Sequence, residues 1–393
     1  MIEQVVILAG GLGTRLRAVI GETAKPMAPI ADKPFLEYLL RMLRENGFTK
    51  FLLLVGYKGE SILEYFQDGS KLGVKLTYAL EDEPKGPGGA LLNAWERLQD
   101  EFLLVPGDSF CDVAYTILQR FVSEKPVNAL VVLRYSNDTS RYGFVEIDEE
   151  YKVKKFVEKG YLPADRVDGY INGGIYYFKK SVRKQFFENY NGEALSLETQ
   201  ILPALVAQTE LYGLPMGGKF IDIGVAEDYW KAQKIIPSWL KAERKACLFI
   251  DRDGTIIEDP GYIHGEELNF KRDTIEIMRN AKGEGKLVII ITNQAGVAKG
   301  MFSEEESVKT TEAVVKHLAM NGITVDAYYY CPYHPDGSVE KYKKISLLRK
   351  PEPGMILRAC EDFRIDLERS AVVGDNPKVD RIKLFGIGEF QIL

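Results

Sequence analysis

No run of apolar residues approaches the ~18 that cross a bilayer as a helix, and the opening MIEQVVILAGG sets no basic leader before its apolar stretch. A soluble protein with neither signal peptide nor membrane span is therefore expected. Cysteine is scarce: Cys111, Cys247, Cys331 and Cys360 are the only four, and they lie far apart. That excludes a disulfide framework, which needs dense, paired cysteines in a small chain, and favours a reducing cytoplasm. Basic residues are not in excess either, with 51 Lys and Arg against 57 Asp and Glu and a net charge of -6. Neither half of the chain is a basic body suited to long nucleic acid, whereas small phosphorylated ligands remain compatible. No internal repeat or low-complexity segment is present. What is there is 393 residues of ordinary globular composition, 46% hydrophobic, too apolar for disorder and long enough for two or three domains of roughly 100–200 residues each. The composition is compatible with a homo-oligomer and says no more about it.

Residues 4–9 are an apolar run that ends in Gly10-Gly11-Leu12-Gly13, as a buried parallel strand feeding a loop would. Phe35–Asn46 then has helical spacing and stops before Gly47, and Phe51–Val55 is another buried-strand pattern. This alternation predicts βαβ units and a parallel sheet. Phe102–Val105 and Asn128–Leu133 continue it, while Phe144–Ile147 and Gly174–Phe178 suggest antiparallel strands near a substrate pocket. Tyr229–Arg244 is helical in pattern, with an interruption expected at Pro237. A fresh strand, Cys247–Ile250, then opens into Asp251-Arg252-Asp253-Gly254-Thr255, so a boundary falls near residue 244. Leu287–Thr292 and Ser370–Val373 are further buried strands, ending in Thr292-Asn293-Gln294 and Gly374-Asp375. Open parallel sheets build ligand sites at such strand ends.

The segment LAGGLGTRLRAVIGETAKPMAPI gathers Gly10, Gly11, Gly13, Thr14, Arg15 and Arg17 behind a strand and then Lys25-Pro26. Glycines let backbone N–H groups approach phosphate oxygens, and cations offset the charge of phosphoryl transfer. The loop has neither the Gly-Lys-Ser/Thr of a Walker motif nor the spacing of the dinucleotide fingerprint. Asp108 and Asp222, each just after an apolar strand, are placed to hold one Mg²⁺, which prefers hard oxygen ligands. With Gly86-Pro87-Gly88-Gly89-Ala90, Gly107-Asp108, Glu158-Lys159, Asn172-Gly173-Gly174 and Asp222-Ile223-Gly224 following in order, residues 1–235 resemble the sugar-1-phosphate nucleotidyltransferase family. The spellings KPMAPI, GDSF and FIDIGVAEDY are most similar to its heptose 1-phosphate guanylyltransferases. The resemblance implies that Arg15 and Lys25 serve the triphosphate, Gly88 and its neighbours the nucleoside, Lys159 the sugar phosphate, and Glu158, Asn172 and Gly173 the sugar. Pro106 departs from the pattern, since an Asn commonly precedes Gly-Asp in that family.

In the second half, two carboxylates two residues apart, Asp251 and Asp253, can divide phosphate-ester hydrolysis between a nucleophile and a proton donor. Asp375 and Asp380 offer a second carboxylate group for Mg²⁺, and Thr292 and Lys350 a hydroxyl and a cation for the phosphoryl group. In that order the set resembles the haloacid dehalogenase superfamily. FIDRDGTI, ITNQAGVAKG, CPYHP and LRKPEPGM are similar to its heptose 1,7-bisphosphate and histidinol phosphatases over residues 246–393. The resemblance implies Asp251 as nucleophile, Asp253 as general acid/base, and a Mg²⁺ held by Asp251, Asp375 and the Asp253 carbonyl. It further implies that Thr292, Asn293 and Lys350 contact the phosphoryl group and that Arg349 reads a second phosphate or the sugar. Those phosphatases carry a structural zinc, for which four Cys or His ligands are usual. Here only Cys331 and His334 remain, with Ser346 and Leu348 in the later positions, so zinc is not expected. His264 and His317 are expected at the surface or at helix ends.

The expectation is an α/β chain of two units. Residues 1–240 form a Rossmann-like mixed-sheet nucleotidyltransferase domain, and residues 245–393 a haloacid dehalogenase-like Rossmannoid phosphatase domain, each using Mg²⁺. Heptose 1,7-bisphosphate would lose its C7 phosphate, and the resulting heptose 1-phosphate would take GMP from GTP. Two alternatives stay open: another sugar phosphate with UTP or CTP, since nothing in Gly86–Ala90 names the base, or one half acting only as a regulatory module.

Overall fold

A computed structural model describes all residues except Met1, Leu12, Asp82, 139–142, Gly160, Asn191, Pro260 and 262–267, and the side chains of Glu158 and Lys159. His264 thus lies outside the described residues. Among those described, a nine-stranded sheet occupies the first half of the chain. Its centre is Gln4–Ala9, flanked in parallel by Lys50–Val55 and Glu101–Pro106, with Lys75–Leu80 beyond. Val5, Val6 and Ile7 are fully buried, which is why this strand reads as a continuous apolar run and not as an alternating one. The three central strands end side by side, so Gly10–Arg15, Gly56 and Gly107-Asp108 emerge at one edge, where open sheets place ligands.

The sheet is mixed, as the sequence suggests. The long strand Gly169–Lys179 runs antiparallel to Glu101–Pro106, Ala129–Ser136 and Gly143–Ile147, and Val153–Lys159 completes that side. A separate two-stranded ribbon pairs Ser109–Val113 with Gly218–Asp222. Its register sets Asp222 opposite Ser109, which draws two aspartates remote in sequence, Asp108 and Asp222, to one point. In the second half, five parallel strands lie in the order Ala327–Cys331, Leu287–Asn293, Cys247–Ile250, Ala371–Gly374 and Glu389–Ile392. Asp251, Thr292 and Asp375 follow or end three adjacent strands at the same edge.

One expectation fails locally. The helix before the second half is Ala226–Lys241 and runs through Pro237 without a break. Proline removes one hydrogen bond within a helix, yet Tyr229, Ala232 and Ile236 are buried on one face, and that packing holds the element together. His317, on the helix Glu304–Met320, stacks on Phe270 with ring centroids 3.7 Å apart.

The two halves meet through a polar joint. The helix Gly354–Asp362 lies on the Gly218–Asp222 strand, and Lys219 donates to the carbonyls of Glu361 and Asp362, each at 2.6 Å. Arg134 pairs with Glu361 at 2.8 Å. A β-carbon added to Gly217 would lie 2.5 Å from that of Cys360, so the surfaces touch with no room to spare. The buried carboxylate of Asp112 accepts from Arg244 and, at 2.7 Å, from Arg364, whose guanidinium also caps the preceding helix through the Trp239 carbonyl at 2.8 Å. Removing Arg364 takes one of two cations from a carboxylate held away from water and leaves Arg244 alone to balance it. Arg364→Ala is expected to lower unfolding stability by about 3 kcal/mol, read as an earlier urea midpoint; an unchanged midpoint would show the joint to be energetically idle.

Candidate functional site

The glycine loop and the ribbon enclose a cleft of about 820 Å³ lined by Gly10, Gly11, Gly13, Thr14, Arg15, Lys25, Asp108, Asn172, Gly173 and Asp222. Lys25 opens a short 3-10 turn and is buried; its ammonium stands 2.5 Å from Asp108 and 3.6 Å from Asp222. Both carboxylates thus converge on one cation position, and their hard oxygens fit a divalent ion such as Mg²⁺. Gly224 closes the cluster: its N–H donates to Asp222 at 2.7 Å, and an added β-carbon would come within 3.3 Å or less of Asp222, Lys25 and Arg15. A side chain at Gly224 would have to displace the ends of these three side chains. Arg17, from the same loop, turns away to Glu22 at 2.8 Å and the Tyr57 hydroxyl at 3.0 Å.

Asn172 fixes its own loop by accepting from the Gly174 N–H at 2.9 Å, and its amide donates to the Tyr176 hydroxyl at 2.8 Å. Pro106 borders the cleft beside Gly174. Gly88 does not face the cleft. Its N–H donates to the Leu195 carbonyl at 2.9 Å, and its neighbours Gly86, Pro87 and Ala90 supply the lining. Glu158 and Lys159 lie on the Val153–Lys159 strand, but their side chains are outside the described set.

Glu81 is a site residue that motif reading missed. It borders the cleft near Gly10, and one of its carboxylate oxygens is buried with no hydrogen-bond partner among the described residues. Burial raises its pKa above the usual carboxylate range, against the opposing pull of Lys85. A buried acceptor left without a donor is costly. The only sequence signal is an acid shortly before Gly86-Pro87-Gly88.

In the second half, Asp251, Asp375 and Asp380 offer ligand oxygens within 4.8 Å of one another. Lys350 is buried, with its ammonium 2.8 Å from Asp251 and 2.6 Å from Asp380. Three hard carboxylates suit a divalent ion. Asp380, offered with Asp375 by the sequence, completes the set, while the Asp253 side chain is engaged by Arg252 and Gln294. Gly254 has φ +76° and an added β-carbon would lie 2.3 Å from Asp375, so glycine is needed both for the turn and for the carboxylate's approach. Asp251 is pushed up to about 6, first by burial and then by Asp380 and Asp253, with Lys350 opposing.

Asp253 is held by a neighbour the sequence did not single out. The fully buried Arg252 grips both its oxygens, at 2.7 and 2.9 Å, and Gln294 donates to it at 2.7 Å. Arg252 is itself tied to Gln294 and Thr311 at 2.9 and 2.7 Å. Thr292 is buried and accepts from Gln294 at 2.8 Å. Asn293 exchanges two hydrogen bonds with the Lys350 backbone, 2.9 and 3.1 Å, and so sets the height of that lysine. Arg349 is half-buried beside it. The Cys331 thiol, buried, donates to the Tyr333 carbonyl at 3.7 Å, and His334 Nδ1 accepts from the Asp336 N–H at 3.0 Å. Burial, with Arg349 and Lys299 nearby, lowers the His334 pKa.

Comparison with known proteins finds relatives of each half. Residues 4–238 match the nucleotidyl transferase family and residues 247–383 the polynucleotide kinase 3 phosphatase family. A D-glycero-alpha-D-manno-heptose 1-phosphate guanylyltransferase of Campylobacter jejuni is 39% identical over 227 residues, 58% of this chain and 97% of that relative. A D-glycero-beta-D-manno-heptose-1,7-bisphosphate 7-phosphatase of Photorhabdus laumondii is 43% identical over 130 residues, 33% of this chain and 69% of the relative. The crystal structure of HddC from Yersinia pseudotuberculosis aligns with a TM-score of 0.51 and 33% identity, covering 60% of this chain and 99% of that one. The chain therefore belongs to the nucleotidyl transferase family, and its C-terminal part is a haloacid dehalogenase-like phosphatase domain.

Proposed function

We propose that this chain is a bifunctional enzyme of GDP-heptose formation, with the functional boundary in 241–244. Its C-terminal part releases the C7 phosphate of heptose 1,7-bisphosphate, and its N-terminal part transfers GMP from GTP to the heptose 1-phosphate with loss of pyrophosphate. One observation carries the proposal: in each half a buried lysine stands between two converging carboxylates, Lys25 with Asp108 and Asp222, and Lys350 with Asp251 and Asp380. The relatives of the two halves, a heptose 1-phosphate guanylyltransferase and a heptose bisphosphatase, support adjoining reactions.

In hydrolysis, the Asp251 carboxylate attacks phosphorus and the C7 oxygen departs with a proton from Asp253. Asp253 then takes a proton from the water that cleaves the resulting acyl phosphate. Arg252 and Gln294 hold the Asp253 carboxylate in place beside Asp251. In transfer, an oxygen of the sugar phosphate attacks the α-phosphorus in line, with Arg15 and Lys25 offsetting charge and Asn172 and Gly173 positioning the sugar. Magnesium held by Asp108 and Asp222, and by Asp251, Asp375 and Asp380, would neutralise phosphate charge in the respective sites.

The specificity for guanine rests on Glu81. Guanine presents N1–H and N2–H side by side, two donors that one carboxylate accepts together, whereas uracil offers a single N–H between two carbonyls. Glu81→Gln is expected to lower kcat/KM for GTP about 100-fold, because a site built to bond a donor pair is left unmatched; steady-state kinetics with GTP and UTP check this, and an unaltered preference removes Glu81 from base recognition.

Asp251 must be ionised to attack, so phosphate release at low Mg²⁺ should fall as pH drops through about 6. Raising Mg²⁺ should move that midpoint to lower pH, since proton and ion compete for one carboxylate. A pH–rate profile independent of Mg²⁺ would contradict this. A coupled assay tests the whole scheme, with heptose 1,7-bisphosphate, each of the common nucleoside triphosphates and mass spectrometry of the product. GDP-heptose is expected with GTP. Asp251→Asn should cut phosphate release at least about a thousandfold and spare pyrophosphate release from heptose 1-phosphate, and Asp222→Ala the reverse. Neither product from the unaltered protein would overturn the proposal.

A further inference from the structure

The two sites are joined by one carboxylate that neither chemistry uses. Asp168 is 1% exposed and lies in the first half, directly before the Gly169–Lys179 strand that carries Asn172 and Gly173 into the transfer cleft. Its side chain reaches into the second half. One oxygen accepts from the Leu347 N–H at 2.7 Å, and the other from the Ser346 hydroxyl, with the Tyr135 hydroxyl adding a bond at 3.3 Å. The flanking backbones are laced together too. The Ile345 N–H donates to the Asp165 carbonyl at 2.8 Å, the Val167 N–H to the Ile345 carbonyl at 3.3 Å, and Lys344 to the Ala164 carbonyl at 2.7 Å.

What Asp168 holds on the far side is the approach to the phosphatase site. From Ser346 the chain reaches Arg349 and Lys350 within a single turn, closed by the Arg349 N–H on the Ser346 carbonyl at 3.2 Å. Lys350 has independent anchors in Asn293 and Asp380. Arg349 is carried by the turn that begins at Ser346. A buried carboxylate satisfied by neutral donors is costly to leave unpaired, so Asp168 adds to the flanking backbone bonds in fixing the turn against the strand.

We propose that Asp168 is a positioning residue for both reactions: by pinning Ser346 and Leu347 it sets Arg349 against the sugar bisphosphate and, four residues on in the strand that follows it, Asn172 against the sugar of the transfer reaction. This rests on the roles given above to Arg349 and Asn172. Because Lys350 and the aspartates keep their own supports, loss of the contact should weaken sugar binding more than chemistry.

The test is a set of full-length variants, each checked for folding by its thermal transition. In Asp168→Ala, KM for both heptose phosphates should rise about fivefold or more while kcat and KM for GTP stay within about twofold. Ser346→Ala should shift the same constants in the same direction, and the double variant should be no worse than Asp168→Ala alone, as expected for two ends of one interaction. Asp168→Asn keeps an acceptor for the Leu347 N–H and should recover most of the loss. Hydrogen exchange on the unliganded chain reads the link without any sugar: amides of 170–174 and 345–349 should accelerate together in Asp168→Ala. Failure of the unaltered protein to turn over heptose phosphates, with this joint acceleration intact, would count against the proposed substrates and not against the link. A folded Asp168→Ala with unchanged sugar KM values, a change confined to one site, or acceleration of only one segment would overturn it.

Discussion

The arrangement on which both sites depend is an ammonium group buried between two aspartates. Two carboxylates cannot share a small, partly dry volume unless a cation lies between them. Lys25 and Lys350 supply that charge, and in doing so they fix where the carboxylates stand. Lys25 sits in the short turn after the glycine loop, whereas Lys350 is held by Asn293 at the end of a strand remote in sequence. Much of the fold serves to bring these partners together. The Ser109–Val113 and Gly218–Asp222 ribbon exists at the one register that sets Asp222 beside Asp108, and the parallel strands of the second half deliver Asp251 and Asp375 to a common edge.

The same charge arrangement leads to different outcomes in the two halves because the surroundings differ. In the first, the carboxylates face an open cleft bordered by backbone and glycine, suited to a long phosphate chain. In the second, Asp251 is enclosed and its pKa is raised, while Arg252 restrains its neighbour Asp253. In the reaction proposed for this half, Asp251 is the nucleophile and Asp253 the proton carrier.

Much of this was legible in the sequence wherever a strand ran straight into a motif. The apolar runs before Gly10, Asp108, Asp251 and Asp375 announced both the strands and the polar groups at their ends, because buried parallel strands leave an unmistakable hydrophobic block. What could not be read were contacts made by side chains outside such junctions. Glu81 matters through an oxygen that happens to be sealed from water, Arg252 because it folds back on its neighbour, and Asp168 because a loop far along the chain comes to meet it. Gly88 shows the converse: it belongs to a recognisable glycine-rich stretch, yet its backbone is spent on Leu195. At Pro237 the helical spacing was right and the expected interruption was not, because local propensity counted for less than the buried face of the helix.

The absence of space at Gly217 bears on how such a chain can change over time. With Cys360 pressed against it from the other half, an added side chain on the first half would need a compensating loss on the second. A freestanding transferase spliced in place of this one would bring its own surface to that point, shaped without any such neighbour, and would collide unless the helix opposite were altered as well. The two enzymes are thus heritable as a pair: once their faces had grown together to this closeness, neither could drift, be exchanged or be released without the other recording it.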